Sequence, residues 1–132
     1  MPITKGYKRL MAEASEKIRT LGIDEAKLKY GDPRVVFVDI RDVRELEREG
    51  MIPGALHAPR GMLEFWVDPE SPYYKDIFGA DREFVLYCQS GWRSTLATAA
   101  LQDMGLTQVS HIEGGFNAWK TAGLPVEARA RR

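Results

Sequence analysis

The stretch Phe84-Val85-Leu86-Tyr87-Cys88-Gln89-Ser90-Gly91-Trp92-Arg93-Ser94 decides how the rest of the chain reads. Four apolar, strand-forming residues run into the chain's single cysteine, and a loop of polar and glycine residues follows. A helical pattern then sets in from about Ser94 to Met104, with Ala97, Ala100, Leu101 and Met104 at i, i+3, i+4 and i+7. Gly105 stands where helices take a left-handed stop. Upstream, Val35 to Ile40 (VVFVDI) is a near-continuous β-branched run, the mark of a strand buried on both faces of a parallel sheet, with Pro33 just before it. Downstream, a third strand over Val109–Ile112 leads into Gly114-Gly115 and an amphipathic helix with Phe116 and Trp119 on one face.

Between these anchors the pattern stays regular. Asp42–Glu49 reads as a charged helix burying Val43 and Leu46, closed by Gly50, and residues 51–55 turn the chain into a short strand at Leu56-His57. Leu10, Met11, Ala14 and Ile18 recur at helical spacing, which predicts a short helix and then a strand around Ile18–Leu21. A second short helix is expected over Asp24–Tyr30, with Asp24 in or near the cap position. Residues 59–82 read as an irregular segment whose Phe65, Trp66, Tyr73, Tyr74 and Phe78 should pack rather than hang free. Alternating strands and helices predict an α/β fold: a mostly parallel central sheet of about five strands flanked by helices. We expect a helical extension at 1–15, the domain proper at 16–127 and a basic tail at 128–132, whose Arg129, Arg131 and Arg132 read as a solvated end.

Composition narrows the function. A chain of 132 residues is one domain's worth, able to bury roughly two-thirds of its unfolded surface. It is 44% hydrophobic and 29% charged, which is globular rather than disordered. Lys+Arg and Asp+Glu both total 19, for a net charge of +0, so neither nucleic acid nor an anionic membrane is expected as a partner. No apolar run approaches a transmembrane length, and the N-terminus lacks the apolar core of a signal peptide, so the expected location is cytoplasmic. One cysteine cannot form an intrachain disulfide, and with only His57 and His111 beside it a thiolate-rich zinc site is excluded; no metal or organic cofactor is expected.

The cysteine is therefore either a small buried hydrophobe or a nucleophile. In open α/β sheets ligands bind at the carboxyl ends of the strands, beside helix N-termini, and Cys88 stands at such a point. A loop wrapping back over the sulfur can aim successive backbone N–H groups inward, and the helix start adds partial positive charge; both favour a thiolate. Gly91 permits the curvature, Arg93 supplies a fixed charge or ties the loop to the body, and Ser94 can cap the helix and donate to the sulfur.

Four motifs in order resemble the rhodanese-like superfamily, single-domain type. Val38-Asp39-Ile40-Arg41 is similar to its D-x-R at a strand end, and Gly50-Met51-Ile52-Pro53-Gly54-Ala55 to its G-H-I-P-G-A turn. Cys88 to Ser94 is similar to its C-x-x-G-x-R-S loop, and Gly114 to Trp119 to its closing G-G-x-x-x-W. The resemblance spans about residues 16–127 and implies a three-layer rhodanese-like fold. It also implies a sulfurtransferase in which Cys88 takes a sulfane sulfur from a donor such as thiosulfate, holds it as a persulfide, and passes it to cyanide or to a small-molecule or protein thiol. The amides of Gln89, Ser90, Gly91, Trp92, Arg93 and Ser94 would form the cradle. Two rivals stand beside this reading. A non-catalytic binding module of the same fold usually lacks the cysteine, which this chain keeps. Related cysteine phosphatases and arsenate reductases carry C-x5-R, whereas only four residues separate Cys88 from Arg93, and Tyr87 stands where many phosphatases have His.

The remaining candidates have plainer readings. Asp39 and Arg41 read as a structural ion pair before they read as catalysts. Arg60 either reaches an anionic donor from the pocket rim or is a surface arginine. Met51 departs from the family's His. Trp92, inside the loop, is a candidate surface for docking an acceptor. His57 and His111 are assigned no role. The sequence leaves oligomeric state open: the N-terminal helix either dimerises or covers the sheet.

Overall fold

The structure, a computed structural model, describes residues 1–130. Its elements in chain order are α1 (Tyr7–Lys17), β1 (Arg19–Leu21), α2 (Ile23–Lys29), β2 (Val35–Asp39), α3 (Val43–Glu49), β3 (Leu56–His57), α4 (Leu63–Val67), β4 (Glu83–Tyr87), α5 (Trp92–Asp103), β5 (Val109–Ile112) and α6 (Gly115–Thr121). Single 3₁₀ turns at Arg60–Met62 and Asp76–Gly79 flank α4.

All five strands pair in parallel, in the order β1-β5-β4-β2-β3. The apolar runs at β2 and β4 form the centre of the sheet because only there are both faces covered. Phe84, Leu86 and Cys88 face one way, into a core with Leu63, Phe78, Ala97 and Leu101. Val85 and Tyr87 face the other way, against Leu21, Ala26, Phe116 and Trp119. These are helices on both sides of one sheet, a three-layer α/β fold. After β2 the chain moves outward to β3, and after β4 it moves outward in the opposite direction to β5. The reversal places a crevice between the carboxyl ends of β2 and β4.

Several boundaries differ from the sequence reading. Gly22, not Asp24, caps α2, and Asp24 lies in its first turn. Gly91 caps α5, which begins at Trp92, so Ser94 is no cap: it lies buried in the first turn with its side chain turned inward. Asp42 caps α3, accepting from Arg44 N at 2.8 Å, and of the two apolar residues expected inside only Leu46 is buried; Val43 is exposed. In the segment 59–82 Phe78 is buried, but Phe65 lies on the surface because α4 is barely more than one turn and buries only Leu63, and Tyr73, in the turn beyond it, is exposed as well. Helix α1 packs on α5 and buries only Ala14. Arg131 and Arg132 of the expected tail lie outside the described residues. Among the described residues no helix is long and apolar enough to cross a membrane.

Candidate active site

Cys88 stands one residue beyond the last ladder residue of β4, and strand alternation points its side chain to the α5 face. The residue is 1% exposed. The chain turns back over the sulfur through Gln89, Ser90 and Gly91. Gly91 has φ +105°, a left-handed backbone that strains any residue with a Cβ. That turn brings the Gly91 N–H to 3.2 Å from Sγ, and the first turn of α5 brings the Ser94 N–H to 3.4 Å. Of the six amides expected around the sulfur, these two donate to it.

The loop is held from behind by the start of α6. Phe116 N–H donates to the Cys88 carbonyl at 2.9 Å and Asn117 N–H to the Gln89 carbonyl at 3.0 Å. With those carbonyls drawn onto α6, trans peptide geometry turns the N–H groups of Gln89 and Ser90 to the opposite side. The approach requires Gly115: a Cβ there would lie 2.5 Å from the Cys88 carbonyl oxygen. The glycine pair of the closing motif is thus a backbone-to-backbone seat for the loop.

Arg93 does tie the loop to the body. It grips both oxygens of Glu45 on α3, at 2.8 and 3.0 Å, so Glu45 raises the guanidinium's pKa and Arg93 holds the carboxyl below its usual range. Its charge also couples to Cys88. Asp39 and Arg41 form a wholly buried pair below the loop. Burial pulls the Arg41 guanidinium down, but the hydrogen bond and charge of Asp39 carry it above its usual value. Arg41 also donates to Gln89 Oε1 at 2.9 Å and to the Gly50 carbonyl at 2.8 Å, linking β2, the turn after α3 and the loop. Burial pushes the Tyr87 phenol up, and its oxygen accepts from Ile52 N–H at 3.1 Å.

The other candidates fall outside this cluster. Arg60 pairs with Glu64 at 2.8 Å, and among the described residues none of its hydrogen bonds goes to the loop. Met51 is buried, and its backbone forms a two-way bridge with Glu127, at 2.8 Å in each direction. Trp92 is 57% exposed and stacks on Tyr7 of α1, ring centroids 5.1 Å apart. His57 Nε2 is bonded to the Arg41 carbonyl oxygen at 2.8 Å.

His111, to which the sequence reading gave no role, touches the site. Its Nδ1 lies 2.9 Å from Ser94 Oγ, and Ser94 Oγ lies 3.6 Å from the cysteine sulfur. The signal was in the register: Leu86 pairs with His111, which puts the imidazole on the face that carries Cys88.

A family model for the rhodanese-like domain matches residues 23–122. A sulfurtransferase from Allochromatium vinosum is 38% identical over 94 residues, covering 71% of this chain and 79% of its own. A structure from Rhodopseudomonas palustris, described as a protein of unknown function and possible tyrosine phosphatase, matches at TM-score 0.94 and 53% identity, over 96% of this chain and 98% of that one. A polysulfide-sulfur transferase homodimer from Wolinella succinogenes matches at TM-score 0.69 and 28% identity, over 96% of this chain and 90% of that one.

Proposed function

The chain belongs to the rhodanese-like domain family, and we propose that it is a sulfurtransferase working through a persulfide on Cys88. The observation that carries this reading is the sulfur itself: buried at a strand end, with the Gly91 and Ser94 N–H groups aimed at it and Arg93 coupled to it. Two N–H donors converging on one buried sulfur suit a nucleophile that carries a transferred group.

In the first half-reaction the Cys88 thiolate attacks the sulfane sulfur of a donor such as thiosulfate. The donor's S–S bond breaks, and sulfite leaves with the bonding pair. In the second, cyanide or a thiolate attacks the outer sulfur, and the electron pair of the broken persulfide bond returns to Cys88. Both steps balance without an external oxidant or reductant. The loop amides hold the anion in each resting state, and Arg93 draws an anionic donor toward the loop. A cytoplasmic setting keeps a lone thiol reduced between turnovers. The acceptor is a small thiol or a protein thiol that meets the loop beside Trp92.

Phosphate-ester hydrolysis, the activity suggested for the Rhodopseudomonas protein by its description as a possible tyrosine phosphatase, fits this loop less well. Four residues between Cys88 and Arg93 make a ring suited to one sulfur atom rather than a tetrahedral oxyanion.

The test is the intact mass after incubation with thiosulfate, with Cys88→Ser in parallel. We expect the wild type to gain one sulfur atom that cyanide removes, and the variant to gain none. No gain from thiosulfate or from polysulfide, together with release of phosphate from an aryl phosphate, would replace this reading with the hydrolytic one.

A further inference from the structure

Ser94 Oγ has one proton and three neighbours: Cys88 Sγ at 3.6 Å, the Gly91 carbonyl at 3.3 Å and His111 Nδ1 at 2.9 Å. Which of them receives the proton decides whether the sulfur gains a third donor. The Gly91 carbonyl already accepts twice from Thr95, from its hydroxyl at 2.7 Å and its N–H at 3.1 Å, so its two lone pairs are filled. His111 is therefore the competitor, and its tautomer settles the outcome. On the far side of the ring, Nε2 lies 3.0 Å from Thr20 Oγ1 on the neighbouring strand β1. If the Thr20 hydroxyl donates to Nε2, the imidazole proton sits on Nδ1 and points at Ser94.

We infer that His111 is a positioning residue: its Nδ1–H donates to Ser94 Oγ, which frees the Ser94 hydroxyl proton for the Cys88 sulfur, and the Thr20 hydroxyl fixes that tautomer. The chain Thr20–His111–Ser94–Cys88 runs from an exposed residue through two buried polar ones to the sulfur. Its hydrogen bonds all point toward the developing anion. A neutral imidazole is required, and burial supplies it, drawing the pKa of His111 down to about 4.

The charged groups nearby are few. Arg93 of α5 couples to the sulfur and is neutralised by Glu45 of α3. Asp39 at the end of β2 and Arg41 just beyond it lie under Gln89. Glu113, just beyond β5, borders the same cleft as His111, to which α1 contributes Met11 and Ser15.

This inference deepens the proposed sulfur chemistry but is tested without it. The ultraviolet absorbance of the thiolate is followed against pH in reduced protein with no sulfur donor, using Cys88→Ser as the blank. Ser94→Ala, which removes the donor to the anion, should move the midpoint upward by about one pH unit, and His111→Phe, which takes away the N–H that orients the Ser94 hydroxyl, should move it upward by less. His111→Asn, whose amide nitrogen reaches the position of Nδ1, should restore it. Thr20→Val should give a smaller upward move. Because His111 acts through Ser94, the pair Ser94→Ala and His111→Phe should move the midpoint no further than Ser94→Ala alone. A His111→Phe titration matching wild type, or additive shifts in the double variant, would overturn the inference. Should His111→Phe not fold, Thr20→Val decides: an unchanged midpoint there removes the tautomer assignment. A protein that transfers no sulfur still gives this titration, so the two readings fail separately.

Discussion

Asp39 and Arg41, two residues apart in sequence, close a bidentate ion pair in which neither side chain reaches solvent: Arg41 Nη2 and Nε lie 2.8 and 3.0 Å from the two carboxylate oxygens. The guanidinium carbon also lies over the Phe116 ring, 4.2 Å from its centroid. Such a pair is costly to halve. Asp39→Ala leaves the Arg41 charge buried without its counterion and should lower stability by about 3–5 kcal/mol in urea unfolding. Removing both charges, as Asp39→Ala with Arg41→Met, should recover a large part of that loss. Equal losses in the single and double variants would mean that the pair's shape, not its charge balance, matters.

Gly115 should be the most demanding glycine of the molecule. It combines φ +57° with a backbone approach that a methyl group would bring to 2.5 Å. Gly115→Ala should cost about 1–3 kcal/mol and shift the Cys88 and Gln89 carbonyls off α6. We expect normal circular dichroism with sulfur uptake by mass reduced tenfold or more (roughly 1.4 kcal/mol per tenfold). Wild-type uptake would show that α6 does not shape the loop.

Glu45 neutralises Arg93, the cation coupled to the sulfur. Glu45→Gln keeps the shape and removes the charge, so Arg93 attracts an anionic donor more strongly. The KM for thiosulfate should fall by about two- to threefold, with a stability cost of about 1 kcal/mol or less, since the Arg93 side chain is 42% exposed. A rise in KM in steady-state assays would place Glu45 on the donor's side of the site.

The acid limb of the stability curve should report His111. Its pKa lies near 4 in the fold against 6.5 for the free side chain, so between those values the unfolded chain binds a proton that the fold refuses. Stability therefore falls as pH drops from 6.5 toward 4, by about 3 kcal/mol at most, and is unaffected by this group above 6.5. Glu45 adds a loss of the same sign, but only below its free value of 4.5. Urea midpoints across this range should fall in the wild type and stay nearly flat to pH 4.5 in His111→Asn.

Much of this architecture was legible because it rests on burial and steric rules. The VVFVD and EFVLY runs could only be central strands, and Cys88 with Gly91 and Arg93 announced a loop folded over a sulfur. What escaped was set by contacts distant in sequence. Ser94 looked like a cap because serine usually caps, but Gly91 had already taken the left-handed position two residues before the helix's second residue. Phe65 looked like core because it is aromatic, while the short α4 had room to bury only Leu63. His111 lies 17 residues from Ser94 and 91 from Thr20, and only sheet register unites them.

The seat that α6 provides for the loop also fixes when the site can come into being. During synthesis β4 and Cys88 emerge well before Gly115, yet the carbonyls of Cys88 and Gln89 have no partner until Phe116 and Asn117 are clear of the ribosome. β1, the earliest strand of the sheet in chain order, waits as well, since among the described residues its sheet partner is β5. The loop that carries the Gly91 N–H to the sulfur thus gains its backing only when α6 docks, which couples the geometry of the site to completion of the domain.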